Sequence, residues 1–241
     1  MKRIISILAA SAIGAVLSSC HSSAPSSDVQ NTDPAKHNIC LIIDGTDRLT
    51  HESCFPLLST DQIVAVAQKI ADHGVGTLYV SYIDEKSVNN AFSVFAWDKE
   101  RPDPLPQKPE IMPTEVYKRR VQEHDALMDE YVTELESAVA RFSTDTKGIV
   151  ALAYSDAVAG KSKASDVNGA INRAVRMLKA ESDDVPVSYI VVVSDLCDNI
   201  GCSLEDIPDG MELVVINTNI NSLDVISKQC PTFDQAIKYI F

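Results

Sequence analysis

The chain has 241 residues, of which 21 are basic and 34 are acidic. Residues 1–19 hold two of the basic residues and none of the acidic ones, so the remainder carries 19 basic against 34 acidic residues, a formal net charge of −15. This charge argues against nucleic acid as a partner and against electrostatic attraction to anionic lipid headgroups. The segment from 38 to 241 has a length that suits a single domain.

The amino terminus predicts a lipoprotein signal peptide at residues 1–19. A basic start precedes an apolar segment at 4–17, which is too short to span a bilayer comfortably and is typical of a signal sequence. The segment ends in Leu17-Ser18-Ser19-Cys20, which resembles the lipobox of bacterial lipoproteins. The resemblance implies cleavage before Cys20 and durable membrane attachment through lipid on that residue. An ordinary secretory signal with an incidental cysteine is the alternative.

Residues 20–37 predict a flexible, lipid-anchored linker, because they are rich in small and polar residues and bury too little apolar surface to fold. We therefore expect a protein of the bacterial cell envelope, with a domain at 38–241 and a protein partner that the sequence does not name. His21 is not an acidic retention signal, which by analogy favours the outer membrane.

Five cysteines remain after Cys20, so at most two disulfides and one free thiol are expected. Cys197 and Cys202 flank a four-residue stretch and could close a small disulfide-bonded loop in an oxidising compartment. Cys40 lies in a predicted strand, where we expect a small buried apolar side chain.

The first half of the domain alternates between strand and helix patterns. The apolar run from Ile39 to Asp44 predicts a buried parallel strand with a polar end. A capping box that begins at Ser59 predicts a helix to about His73. Two β-rich runs follow, a strand at 77–83 and an alternating strand at 91–97 that we expect to be antiparallel and at the sheet edge.

The second half begins with five prolines within 101–113, which predict an extended connection, or alternatively a PxxP-type recognition segment. An apolar stripe at 114–142 predicts an amphipathic helix that 144–148 breaks, and the ambiguous run 149–159 weakly favours helix. The last predicted elements are a helix at 166–180, strands at 187–194 and 212–217, and short helices near 222–229 and 231–240.

This order of elements predicts a three-layer, Rossmann-like α/β fold. The sheet is expected to be mainly parallel, with one antiparallel edge strand and helices on both faces. Ligands of such sheets bind at the carboxyl ends of the strands. Asp44 and Asp195 each follow an apolar strand, so we expect them to share one rim if those strands are neighbours.

Three stretches, 42–47, 165–174 and 191–195, resemble the von Willebrand factor type A domain and occur in that family's order. The resemblance implies a metal-ion-dependent adhesion site, with Mg²⁺, or Mn²⁺ or Ca²⁺, as its ion and an open position for a partner's carboxylate. Hard oxygen ligands of this kind suit Mg²⁺. The implied metal ligands are Asp44, Thr46, Ser165 (with Ser162 as a substitute) and Asp195.

Arg48 departs from the family's pattern, because a second serine stands there in the adhesion site. A guanidinium at this position could repel a cation or form an ion pair with Asp44 or Asp195, whereas Asp47 could compensate. A metal-free, degenerate copy is therefore an alternative, in which the domain acts through its loops and acidic face.

An enzymatic alternative comes from the run Asp195 to Asn199, which resembles the last acidic motif of haloacid-dehalogenase-like phosphatases. The first motif of that family has a second Asp two residues after its nucleophile, whereas Thr46 stands there in this chain, and the general acid is missing. The sequence contains no Gly-rich phosphate loop and no nucleophile elbow. It therefore favours a non-catalytic binding or scaffolding domain.

Overall fold

The computed structural model describes residues 35–46, 55–155, 164–180, 187–217 and 225–241. From Asp33 to Phe241 the chain forms one compact unit. Its described elements, in chain order, are β1 (Ala35–Asp44), α1 (Thr60–His73), β2 (Gly74–Ile83), β3 (Ser93–Trp97), α2 (Thr114–Ala153), α3 (Val167–Lys179), β4 (Ser188–Val193), β5 (Met211–Ile216), β6 (Lys228–Cys230) and α4 (Phe233–Ile240).

The sheet confirms the predicted fold class. Its strands lie in the order β3-β2-β1-β4-β5-β6. All neighbouring pairs are parallel except β2 and β3, which are antiparallel, so β3 is the predicted antiparallel edge strand. Because β1 lies between β2 and β4, the carboxyl ends of β1 and β4 open onto the same rim of the sheet.

Side-chain alternation along β1 separates two apolar cores. Ile39, Leu41 and Ile43 belong to the core shared with α1, α2 and α4, whereas Cys40 and Ile42 belong to the core shared with α3. Successive residues of a strand point to opposite faces of the sheet, so helices cover both faces and the fold has three layers. Cys40 is buried, as predicted.

Helix α2 is longer than predicted, because it continues without a break through 144–148 and ends at Ala153. Its buried stripe crosses the polar run at Thr146, whose hydroxyl lies 3.0 Å from that of Ser93. Phe142 and Ile149 continue the stripe on either side of Thr146. The predicted break is therefore wrong, since one buried threonine at helical spacing keeps the helix on the sheet. The preference for helix after 149 is confirmed as far as Ala153.

The carboxyl-terminal helix predicted near 222–229 is wrong at its described end. Residues 228–230 form β6, which pairs with β5 and buries Cys230. The last helix begins at Phe233 rather than 231, because Thr232 caps it by accepting a hydrogen bond from the backbone N–H of Gln235. At the other end of the domain, β1 begins at Ala35, within the predicted linker.

The proline-rich connection at 101–113 has no long regular element, as predicted, and lies along α2. Tyr117 donates its hydroxyl to the carbonyl oxygen of Pro106, at 3.4 Å, and a ring nitrogen of His124 lies 3.0 Å from the carbonyl oxygen of Asp103. The connection thereby covers part of the amino-terminal half of α2. Within the described ranges, no helix is long and apolar enough to cross a membrane.

The end of α2 packs tightly against the turn that follows β1. A Cβ atom added at Gly45 would lie 1.6 Å from the carbonyl oxygen of Ala153. We therefore expect Gly45→Ala to lower the free energy of unfolding by about 2–4 kcal/mol in urea denaturation, because backbone must move to accept the methyl group.

Gly148→Ala is the matched control for this substitution. Gly148 lies on the exposed side of α2, and a Cβ atom there would meet nothing within 4 Å. Alanine in a helix interior is favoured over glycine, so this variant should gain about 0.5–1 kcal/mol. Equal stability of Gly45→Ala and the wild type would contradict the tight contact.

Candidate functional site

The carboxylate of Asp44 is the centre of the rim formed by the carboxyl ends of β1 and β4. It is only 1% exposed. Its Oδ1 accepts hydrogen bonds from the backbone N–H of Thr46, at 2.9 Å, and from the Thr46 hydroxyl, at 2.6 Å. Its Oδ2 accepts the hydroxyl of Ser194, at 2.6 Å. Residues that follow two neighbouring strands thus converge on one buried acid.

Ser165 extends this cluster from a third segment of the chain. Its hydroxyl oxygen lies 2.5 Å from that of Thr46, and both residues are buried. Because Thr46 donates its proton to Asp44, Ser165 is the donor to Thr46. The result is a hydrogen-bonded hydroxyl–carboxylate chain, defined here as Ser165, Thr46, Asp44 and Ser194.

Backbone contacts hold Ser165 in position before α3. The carbonyl oxygen of Ser165 accepts the N–H of Asn199, at 3.0 Å, and the N–H of Asp166 donates to the carbonyl of Asp84, at 2.9 Å. Asp166 also caps α3, because its side chain accepts the N–H of Gly169 at 3.0 Å. The hydroxyl of Ser165 therefore belongs to a rigid segment.

Asp195 lies on the same rim but is exposed. Its carboxylate accepts the backbone N–H of Cys197, at 2.9 Å, in a turn of its own loop. The next residue, Leu196, has a φ of 60°, and its N–H donates to the Ser194 hydroxyl at 2.9 Å. The loop thus presents Ser194 to the buried cluster and Asp195 to solvent.

Burial is the main cause that raises the pKa of Asp44 above its ordinary value of 3.8. The hydrogen bonds from Ser194 and Thr46 act in the opposite direction, and the charge of Asp195 raises the pKa further. The two acids of the rim are therefore close enough to repel each other. A proton or a cation at Asp44 would relieve both the burial and the repulsion.

Three of the four predicted metal ligands are brought together, whereas the fourth, Asp195, lies on the same rim with its side chain exposed to solvent. Neighbouring ligands of an octahedral Mg²⁺ lie about 3 Å apart, given Mg–O distances of about 2.1 Å. The Thr46 oxygen lies 2.5 Å from that of Ser165 and 2.6 Å from Asp44 Oδ1, which are hydrogen-bond distances. The oxygen types suit Mg²⁺, but the separations would have to lengthen and the hydroxyl protons turn outwards for the ion to be held.

A cation at this rim would depend on hydroxyl ligands. Within the part of the chain that the structure describes, no group of three or more His, Cys, Asp or Glu side chains could hold a metal ion. Arg48, Asp47 and the substitute ligand Ser162 lie outside the described residues, as does Cys20.

The sequence did not predict Ser194 or Asn217 as members of the site. Ser194 precedes the predicted Asp195 and is the residue that contacts Asp44. Asn217 follows β5, is fully buried, and donates its side-chain amide to the carbonyl oxygen of Ser194 at 2.9 Å. Polar residues directly after apolar strands were the available signal for both.

The structure places Cys197 and Cys202 on the surface without an S–S bond between them, and the disulfide stays a prediction. Other contacts hold their loop. Asn168 donates its side-chain amide to the carbonyl oxygen of Cys202, at 2.7 Å, and Asp198 accepts the N–H of Gly201, at 2.9 Å. Hydrogen bonds thus connect the loop to α3 and stabilise its turn.

Comparison with known proteins identifies no relative, since no family model, no curated protein and no solved structure matches this chain. The likeness to the von Willebrand factor type A domain therefore depends on the residues described above. A Rossmann-like sheet alone indicates a fold and not an activity.

The raised pKa of Asp44 predicts a pH dependence of stability in a metal-chelating buffer. An acid whose pKa is higher in the folded state holds its proton more tightly there, so stability is lost as the pH rises from the unfolded pKa through the folded one. Asp44→Asn lacks this titration. Its free energy of unfolding should therefore fall less than that of the wild type from about pH 4 to about pH 8.

Ser194→Ala provides the opposite comparison, because the lost hydrogen bond helps to keep Asp44 charged. Its stability should fall more steeply with pH than that of the wild type. Urea unfolding of the three proteins at several pH values measures both effects. Parallel profiles for all three would show that Asp44 does not titrate differently in the folded protein.

Proposed function

We propose that this chain is a lipid-anchored protein of the bacterial envelope, whose von Willebrand A-like domain binds a partner protein through a divalent cation at the rim. The cation, Mg²⁺ first, would be held by Asp44, Thr46, Ser165 and Asp195. The observation that carries the proposal is the convergence of a buried carboxylate and two hydroxyls from separate segments, with oxygen separations of 2.5 and 2.6 Å.

Electrostatics support a cation at this place. Asp44 is buried and Asp195 raises its pKa, so positive charge would stabilise the ionised pair. Asp195 is exposed and thus available to an ion that also reaches solvent. An open coordination position would then accept a carboxylate from the partner, while the cation supplies the positive charge that an acidic domain lacks.

A metal-free interaction module is the second candidate, and one observation favours it. Asp44 accepts three hydrogen bonds from Thr46 and Ser194, so the carboxylate is already satisfied by protein donors. In that case the hydrogen bonds at the rim only hold its loops together, and the surrounding loops bind the partner. Arg48 at the position of the second serine is consistent with this candidate.

Binding rather than catalysis is proposed because the acid that a phosphatase would use as its nucleophile is 1% exposed and fully engaged in hydrogen bonds. A nucleophilic carboxylate needs access to its substrate. The proposed location comes from the lipobox at Cys20 and the acidic domain that follows it, and the outer membrane is favoured because His21 is not an acidic retention signal.

Calorimetric titration with Mg²⁺ and Mn²⁺ tests whether the domain binds a cation. A soluble form that starts at residue 21 retains the whole compact unit. We expect saturable binding and a stabilisation of about 2.7 kcal/mol at a free cation concentration 100 times the Kd. Thr46→Ala and Ser165→Ala should abolish both effects, whereas Thr144→Ala, an exposed position on α2, should retain them.

Arg48→Ser sharpens this test, because it restores the family's second hydroxyl and removes a positive charge. We expect it to bind Mg²⁺ more tightly than the wild type. If neither protein shows heat of binding or a thermal shift, the cation is excluded. The metal-free interaction module is then the proposed function.

The anchor is tested separately by Cys20→Ser in the full precursor. The serine cannot receive the thioether-linked lipid, so the protein should move from the membrane fraction to the soluble fraction of the envelope. Fractionation and immunoblotting measure the change, with Cys202→Ser, an exposed thiol in the domain, as the control that should remain membrane-bound. Retention of Cys20→Ser in membranes would contradict the lipid anchor.

A further inference from the structure

A groove of about 560 Å³ lies between α1 and α4, on the face of the sheet that these helices share with α2. Its size is within the range of small-molecule sites in proteins, about 300–1,000 Å³. The groove is mainly apolar, with charged side chains at its borders. It is lined by Gln62, Ala65, Val66, Lys69, His73, Phe233, Asp234, Ile237, Lys238 and Phe241.

The floor of the groove is built from the inward faces of both helices. Val66, Phe233 and Ile237 are buried at 2%, 5% and 8% exposure. Ala65 is exposed on the side of α1 and is small, which leaves the groove open there. Burial of an alkyl chain on such a floor would be favourable in proportion to the apolar area covered.

Two exposed lysine side chains stand at the borders of the groove, although the domain as a whole is acidic. Lys69 and Lys238 are exposed, and neither forms an ion pair within the described part of the chain. The ammonium group of Lys69 lies 5.7 Å from the centre of the Phe241 ring. His73 adds a third nitrogen base, and Asp234 is the single acidic side chain in the lining. Apolar floor and basic border together complement a ligand with an alkyl body and an anionic head.

From this complementarity we infer that the groove binds an amphipathic anion of the fatty-acid class, with one alkyl chain and one anionic head. The alkyl chain lies on Val66, Phe233 and Ile237, and the anionic head contacts Lys69 and Lys238. This site is separate from the rim, because the last residues of α1 lie near His37, whose ring centre is 6.2 Å from that of His73. His37 belongs to the amino-terminal half of β1, whereas the rim follows its carboxyl end.

The groove ends beside the start of β1, because the ring of His37 lies 4.7 Å from that of Phe241. The predicted linker joins the domain at this start, so the linker itself is another occupant that the experiments must test.

Three ligands with the same alkyl chain test the inference on the soluble form that starts at residue 21. Decanoate is the anionic probe, decanol the neutral one and decyltrimethylammonium the cationic one, each below its micellar concentration. Calorimetry should give the tightest binding for decanoate, weaker binding for decanol and no binding for the cation. Equal binding of all three would reduce the groove to a non-specific apolar surface and overturn the inference, as would no binding of decanoate.

Two kinds of variant distinguish the contribution of the anionic head to binding from that of the alkyl chain. Lys69→Ala combined with Lys238→Ala should lower the affinity for decanoate by about tenfold. The affinity for decanol should stay within about twofold of that of the wild type. Ala65→Trp should fill the groove and weaken both. Lys147→Ala, an exposed lysine on α2 outside the groove, is the control for net charge and should bind decanoate like the wild type.

Thermal unfolding without ligand distinguishes binding from structure, because Lys238 lies in the last turn of α4 and cations stabilise helix ends. The lysine variants must remain folded while decanoate binding falls. Loss of decanoate binding in Lys147→Ala to the same extent would overturn the site.

Binding to lipid vesicles, and decanoate binding by a shorter form of the protein, test whether the groove has another occupant. Lysine-dependent binding to phosphatidylglycerol vesicles without binding of decanoate would assign the groove to a membrane headgroup and overturn the monoacyl ligand. If only a form that starts at residue 33 binds decanoate, the linker itself occupies the groove, and the inference fails. Neither outcome bears on the cation at the rim, so the two proposals stand or fall separately.

Discussion

The arrangement of the rim depends on one buried carboxylate. Asp44 ends β1, a central strand with neighbours on both sides, and it is almost fully excluded from solvent. A buried acid is costly unless donors surround it. The chain supplies those donors from Thr46 and Ser194, and Ser165 continues the hydrogen-bonded chain. Three loops are therefore tied to one another through Asp44, whatever else binds there.

The sequence predicted the architecture well where one strand or helix carried a long pattern. The apolar run to Asp44, the capping box at Ser59 and the alternation at 91–97 led to the correct elements and to the antiparallel edge. The errors concern short or mixed signals. Thr146 looked like part of a break but is fully buried in α2, and three residues at 228–230 are too few to show a strand pattern. Only tertiary contacts decide such segments.

The candidate site could be predicted in part, because the topology of a parallel sheet determines which strand ends lie together. Parallel neighbours place the ends of their strands together, so Asp44 and Asp195 could be expected at one rim, whereas Thr46 and Ser165 were expected there from the resemblance to the von Willebrand factor type A domain. The sequence did not predict that Ser194, rather than Asp195, contacts Asp44. Ser194 continues the alternation of β4 on the face of the sheet where Asp44 lies and contacts it. Asp195, by contrast, is exposed at the start of the loop that turns at Leu196, whose φ is 60°.

Helix α1, like β1, runs between the two ends of the domain, and its packing argues that the rim and the groove act independently. The helix starts after the loop that follows the rim and ends at His73 beside the groove. Ile63, Ala67 and Ile70 are each fully buried against the sheet. A close-packed helix transmits a change only if it can shift as a body between two packed positions. The structure shows α1 in one packed position, and from this arrangement we expect that occupation of one site leaves the affinity of the other unchanged.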